Sequence, residues 1–152
     1  MNPKLFFPLL LLICFNINAQ VVTWNTDVDS AIAQSRKENK PLLLLFADAN
    51  SNKGALHSQI LNTLDFALWA RDTVVLLLLD LTNIESNESF NRSTSLQKAF
   101  GVQELPTICF ARAKIKKDQI NYELIGKTKF KPGGVKAWLA DAKTVLAGPI
   151  EE

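Results

Sequence analysis

FGVQELPTICF, residues 100–110, marks the point where a helix gives way to a buried strand. Upstream of it, STSLQKAFG reads as a short helix closing at Gly101, because a residue without a Cβ enters the left-handed conformation of a helix C-terminus at little steric cost. Downstream, VQELPTICFAR leads into a strand from Thr107 to about Arg112. Alternation along that strand puts Thr107 and Cys109 on one face and Ile108 on the other.

Working outward toward the N-terminus, PLLLLFAD, residues 41–48, has the unbroken apolar character of a strand covered on both faces. Leucine alone would suit a helix, so the short length and the flanking Pro41 and Asn50 decide for a strand. TVVLLLLDL, residues 73–81, reads the same way. Before the first strand, Val28, Ala31, Ile32 and Ser35 fall at helical spacing between Thr26 and Lys40, with Thr26 or Asp27 as N-cap. Between the two strands, DANSNKG (48–54) is a loop, and a helix follows from about Ala55, with a break expected near Asp65. TNIESNESFNR, residues 82–92, reads as a surface loop. Toward the C-terminus, KIKKDQ reads as a turn, INYELIG as a fourth strand, and KPGGVKAWLADAKTVL as an amphipathic helix with Val135, Trp138, Leu139, Ala142 and Leu146 on one face.

The order is helix, strand, helix, strand, helix, strand, strand, helix: a parallel pair with a helical crossover, then a hairpin and a closing helix. This predicts an α/β domain with a mixed central sheet of about four or five strands and helices on both faces. Over residues 24–147 the arrangement resembles the thioredoxin-like superfamily. KPLLLLFADANSNKG is similar to that family's first core strand running into its active-site loop. FGVQELPTICF is similar to the segment in which a proline with a cis peptide bond precedes a core strand, with Phe100, Gly101, Val102, Pro106 and Thr107 agreeing in type and spacing. The relatives evoked are secreted bacterial thioredoxin-like proteins whose first helix ends in a Lys-Pro pair, here Lys40 and Pro41.

The resemblance implies a pair of cysteines separated by two residues at the entry to the long helix. There a thiolate, its pKa lowered from about 8.5 toward 7 by the helix N-terminus, attacks disulfides, and a second thiol resolves the mixed disulfide. Placed by the spacing from Phe46, those positions hold Ser51 and Gly54, with Asn50 before them and Asn52 and Lys53 between. Neither can exchange disulfides, so no catalytic residue is assigned in this degenerate loop. A serine nucleophile would need an adjacent base. The sole histidine, His57, lies six residues on, about 240° around a helix from Ser51. Capping is the ordinary role for Ser51 with Asn50, and a solvent-facing helical position for His57. Glutathione transferases that use a serine near this place need a second helical domain, for which the chain has no room.

Cys109 is then the one thiol of the mature chain, which excludes an internal disulfide. Flanked by Ile108 and Phe110, it reads as a buried, inert hydrophobe; a weak thiol-disulfide activity through it is the rival reading. One Cys and one His without ligand spacing give no metal site, and no cofactor is expected. Glu104, Leu105, Pro106 and Thr107 remain as candidates for holding an extended polypeptide by strand addition, opposite a polar wall of Asn50, Ser51 and Asn52. The simpler alternative is that the proline only shapes the strand entry. The loop 83–92 is long enough to carry a contact surface, and its triplets at Asn87 and Asn91 would be glycosylated only in a eukaryotic secretory pathway.

The N-terminus sets the compartment. MNPKLFFPLLLLICFNINAQ has one Lys4, an apolar stretch from Leu5 to Phe15 and a small Ala19, the order of a signal peptide over residues 1–19. Leu12 and Ile13 before Cys14 are too bulky for a lipoprotein box. The apolar stretch is too short to cross ~30 Å of hydrocarbon, so residues 20–152 are expected as one periplasmic or secreted domain without a membrane span. Lys4 leaves with the leader, and the 17 basic side chains of the whole chain fall to one more than the 15 acidic ones, giving no drive toward nucleic acid. Residues 111–136 are nonetheless basic. A solvated hairpin face around RAKIKKD is the ordinary explanation; an anionic partner or lipid headgroups are the other. The expectation is a redox-inactive binding or chaperone-like module of the cell envelope, with a polypeptide segment or an envelope protein as partner. A structural subunit of an envelope assembly is the further alternative.

Overall fold

A computed structural model describes residues 22–51, 54–82 and 88–148. Helix α1 (Val28–Glu38) starts at Asp27, whose carboxylate accepts from the Ser30 N–H at 2.8 Å. It stops at Asn39, which takes the left-handed conformation at φ 52°. Its buried residues are Val28, Ala31, Ile32 and Ser35, the expected stripe. Strand β1 (Leu42–Ala47) follows, and every one of its six residues is buried.

The four-stranded sheet runs β2-β1-β3-β4. Strand β1 pairs in parallel with β2 (Val75–Asp80) and antiparallel with β3 (Thr107–Lys116), which pairs antiparallel with β4 (Gln119–Thr128). The leucine run is central, and this explains its composition: with strands on both sides and helices on both faces, no position can be polar. Leu42, Leu44 and Phe46 enter one core with α1, Leu96 of α3 (Glu88–Ala99) and Cys109. Leu43, Leu45 and Ala47 enter the other with Phe66, Phe110 and Trp138. In that second core Phe66 packs against Trp24, Trp69 and Trp138 with ring centroids 5.7–6.3 Å apart, a spacing that favours edge and offset contacts.

The long helix is interrupted, as expected. Helical backbone begins at Ala55, widens into a π-helical turn at His57–Leu61, breaks at Asn62–Thr63 and resumes as α2 (Leu64–Thr73). The Thr63 hydroxyl accepts from the Phe66 N–H and donates to the Ile60 carbonyl at 2.7 Å, so one side chain serves both sides of the break.

Two expectations are corrected. Residues 88–92 belong to α3 rather than to a loop, and the Arg92 guanidinium forks onto the Asp29 carboxylate of α1 with both contacts at 2.7 Å. The third and fourth strands are ten residues each, and their turn is the pair Lys117–Asp118, at φ 50° and 61°. Two successive positive φ values suit the right-handed twist of a hairpin; the alternation of Lys114, Ile115 and Lys116 was the strand signal hidden inside the presumed turn. Helix α4 (Gly134–Ala147) closes the second face. It lies so close to β4 that a Cβ on Gly126 would stand 2.5 Å from Val145 Cγ1.

Candidate functional site

The antiparallel register of β1 and β3 ends with Phe46 opposite Thr107. The chain leaving β1 and the chain entering β3 therefore meet at one end of the sheet. Residues 48–51 and Gly54 lie there together with Glu104, Leu105, Pro106 and Thr107. Asn52 and Lys53 lie outside the described residues, as do residues 1–19, Asn87 and the stretch 83–87.

Asp48 organises the loop. One carboxylate oxygen accepts from the Asn50 N–H at 3.2 Å, the Ser51 N–H at 2.9 Å and the Ser51 hydroxyl at 2.6 Å. The Ser51 oxygen in turn accepts from the Asp48 N–H at 3.2 Å. Ser51 is 5% exposed. The Ser51 hydroxyl closes the turn it has left, and its carbonyl, accepting from the Gly54 N–H at 3.2 Å, links that turn forward to the helix entry. A short polar side chain three residues from an aspartate closes such a local turn readily. Of the two described members of the expected polar wall, Asn50 is exposed and Ser51 is buried.

This arrangement is poor for nucleophilic catalysis. The Ser51 proton is directed at a carboxylate that its own hydroxyl, and then the Ser51 backbone, hold below the usual range. A carboxylate with lowered pKa is a weak base, whereas activation of a hydroxyl needs a base poised near the working pH. His57 is half-buried rather than solvent-facing, and burial lowers its pKa.

On the other wall, the Leu105–Pro106 peptide is cis. Thr107 is buried and its hydroxyl donates to the Glu104 carbonyl at 2.7 Å, holding the bend in place. Leu105 packs partly into the first core, and Glu104 points to solvent, paired with Lys129. Between Gly101 and Lys129 is a hollow of about 170 Å³, room for one side chain, with Lys127 and Glu104 on its rim.

Cys109 stands two residues farther along β3, opposite Leu44 and Lys127. It has no solvent exposure. Burial pushes its thiol up to about 11, and Lys127 offsets only part of that. The Lys127 ammonium is itself held by the Gly101 carbonyl at 3.1 Å. Lys127 escaped the sequence reading because it is cross-strand rather than near in sequence, and only the hairpin register reveals it. Asp48 was missed although the motif Asp-x-x-Ser was readable. Among the described residues no three metal-ligating side chains come together, and no helix is long and apolar enough to cross a membrane.

Comparison with known proteins places this geometry in a fold. No family model and no curated protein matches the sequence. Solved structures do. One is an oxidoreductase named DsbH, at a TM-score of 0.69 and 20% identity, with 87% of this chain and 89% of that chain covered. Another is a thioredoxin from Thermus thermophilus, at a TM-score of 0.62 and 12% identity, covering 83% and 88%. The fold is thioredoxin-like, an α/β mixed sheet with helices on both faces.

Proposed function

We propose that this chain is a thioredoxin-like binding module without disulfide chemistry, which holds an extended polypeptide beside Pro106. The observation that carries the reading is the separation of sulfur from access. The helix entry holds Ser51, its hydroxyl committed to Asp48, while Cys109 is fully buried with its thiol raised to about 11. A thiol four units above neutrality is about one part in ten thousand thiolate at pH 7, too little for exchange even if a substrate could reach it. Binding survives the loss of chemistry, since the backbone of Gln103 and Glu104 and the small hollow beside them are what an added strand would use. The leader-like order of residues 1–19 supports an envelope or secreted location.

A photo-crosslinker at the exposed Gln103, presented with reduced and carboxymethylated lactalbumin as an unfolded client, tests the reading. It should capture the client where the same group at Lys143 on α4 does not. Equal capture at both positions, or none at either, would overturn it.

A further inference from the structure

Past Ala111, β3 leaves β1 behind. Residues Arg112–Lys116 pair only with Gln119–Glu123, so the hairpin runs on as a two-stranded ribbon, roughly 17 Å beyond the four-stranded sheet at ~3.4 Å per residue. The register sorts its side chains by face. Ile115 stands opposite Ile120, Ala113 opposite Tyr122 and Ala111 opposite Leu124. The other face carries Arg112, Lys114, Lys116, Gln119, Asn121 and Glu123. Among the described residues five large apolar side chains are exposed, and three of them, Ile115 (44%), Ile120 (36%) and Leu124 (39%), share this one ribbon face.

The charges of the tip, which apart from the turn pair lie on the face opposite the isoleucines, have one dominant sign. Lys114 is paired with Glu123, and the remaining Arg112, Lys116 and Lys117 outnumber Asp118. We infer that the β3–β4 tip docks on an anionic lipid bilayer, with Ile115 and Ile120 entering the headgroup boundary and Lys116 and Lys117 reaching the phosphates. Charge complementarity selects this occupant. Lysine is depleted from the centre of protein interfaces, whereas at a negatively charged bilayer its stem lies along apolar material while the ammonium meets phosphate. Nucleic acid would want aromatic platforms, and the ribbon's only aromatic residue, Tyr122, is packed against the first core. The tip lies at the opposite end of the sheet from Pro106, so the groove would be held about 30 Å from the surface, open to passing chains.

The Ile115–Ile120 pair also helps hold the ribbon together, so the lysines are needed as an independent probe. Co-sedimentation of the protein, as purified from its host, with vesicles of 30% phosphatidylglycerol in phosphatidylcholine tests the inference. Binding is expected at low salt, and it should weaken sharply at 0.5 M NaCl and with vesicles of phosphatidylcholine alone. K116Q/K117Q should weaken it about 25-fold, at roughly fivefold per lysine, with an unchanged circular dichroism spectrum. I115S/I120S should weaken it at least tenfold. Absence of binding to the anionic vesicles, equal binding by K116Q/K117Q, or a concentration-dependent dimer that I115S/I120S dissolves would each overturn it; the last would assign the ribbon to a second copy. None of these outcomes bears on capture of a client at Gln103, so the two proposals fail separately.

Discussion

Ser51 and Cys109 occupy the two places on this sheet where chemistry would be sought, and their surroundings are opposite. Ser51 lies where β1 hands over to a helix, at one end of the sheet, and carries an oxygen tied to Asp48. Cys109 lies opposite Leu44 within the first core and carries sulfur that no solvent touches. A disulfide exchanger needs sulfur, a lowered pKa and access at one point. Here the sequence has distributed them: position without sulfur in the loop, sulfur without ionisation in the strand. The frame around both places is held by leucines and strand register rather than by either side chain.

The largest effects are expected on the core side. Leu44→Ala would open a cavity next to the thiol and should cost about 2–5 kcal/mol in urea unfolding. Labelling of Cys109 by a thiol reagent should then accelerate at least tenfold, because the route to the sulfur runs through unfolding. Fast labelling of the parent protein, unaltered by Leu44→Ala, would show that the sulfur is accessible after all. Next in size, Cys109→Ser puts a hydroxyl where no partner awaits it and should cost about 1–3 kcal/mol, more than Cys109→Ala. A serine tolerated as well as alanine would mean that water enters this part of β3.

The loop side gives smaller effects. Ser51→Ala removes the hydroxyl that joins both ends of the Asp48 turn and should cost on the order of 1 kcal/mol by chemical denaturation. The smallest effect is in pH. The Asp48 carboxyl sits below the usual carboxylate range, lowered first by the hydrogen bond from the Ser51 hydroxyl. Its contribution is therefore fully present above about pH 5 and is lost as pH falls through the folded value. The stability difference between the parent and Asp48→Asn should be flat from pH 5 to 7 and shrink below pH 4. A difference that grows on acidification would place the carboxyl in a different environment.

Much of this architecture is legible in the sequence. The unbroken run Leu42–Phe46, short and flanked by Pro41 and Asn50, reads as a strand covered on both faces, and Gly101 with Pro106 marks where the third strand begins. The ribbon was harder, because Lys117 and Asp118 lack the glycine that usually signals a tight hairpin, and the lysines around Ile115 look like loop until their period of two is counted. The start of α3 was hidden for a related reason: Glu88–Arg92 is polar apart from Phe90, and the Arg92 fork ties it to Asp29 on a helix far away in sequence. At the site, the absence of cysteines could be read directly. The inward turn of Ser51 and the cross-strand Lys127 depend on tertiary register and could not.

Whether Cys109 can exchange disulfides is read from insulin reduction by dithiothreitol, followed by turbidity with and without the protein. No acceleration over the uncatalysed reaction is expected. Clear acceleration that vanishes in Cys109→Ala would contradict it, since sulfur buried within this sheet would then be carrying out exchange.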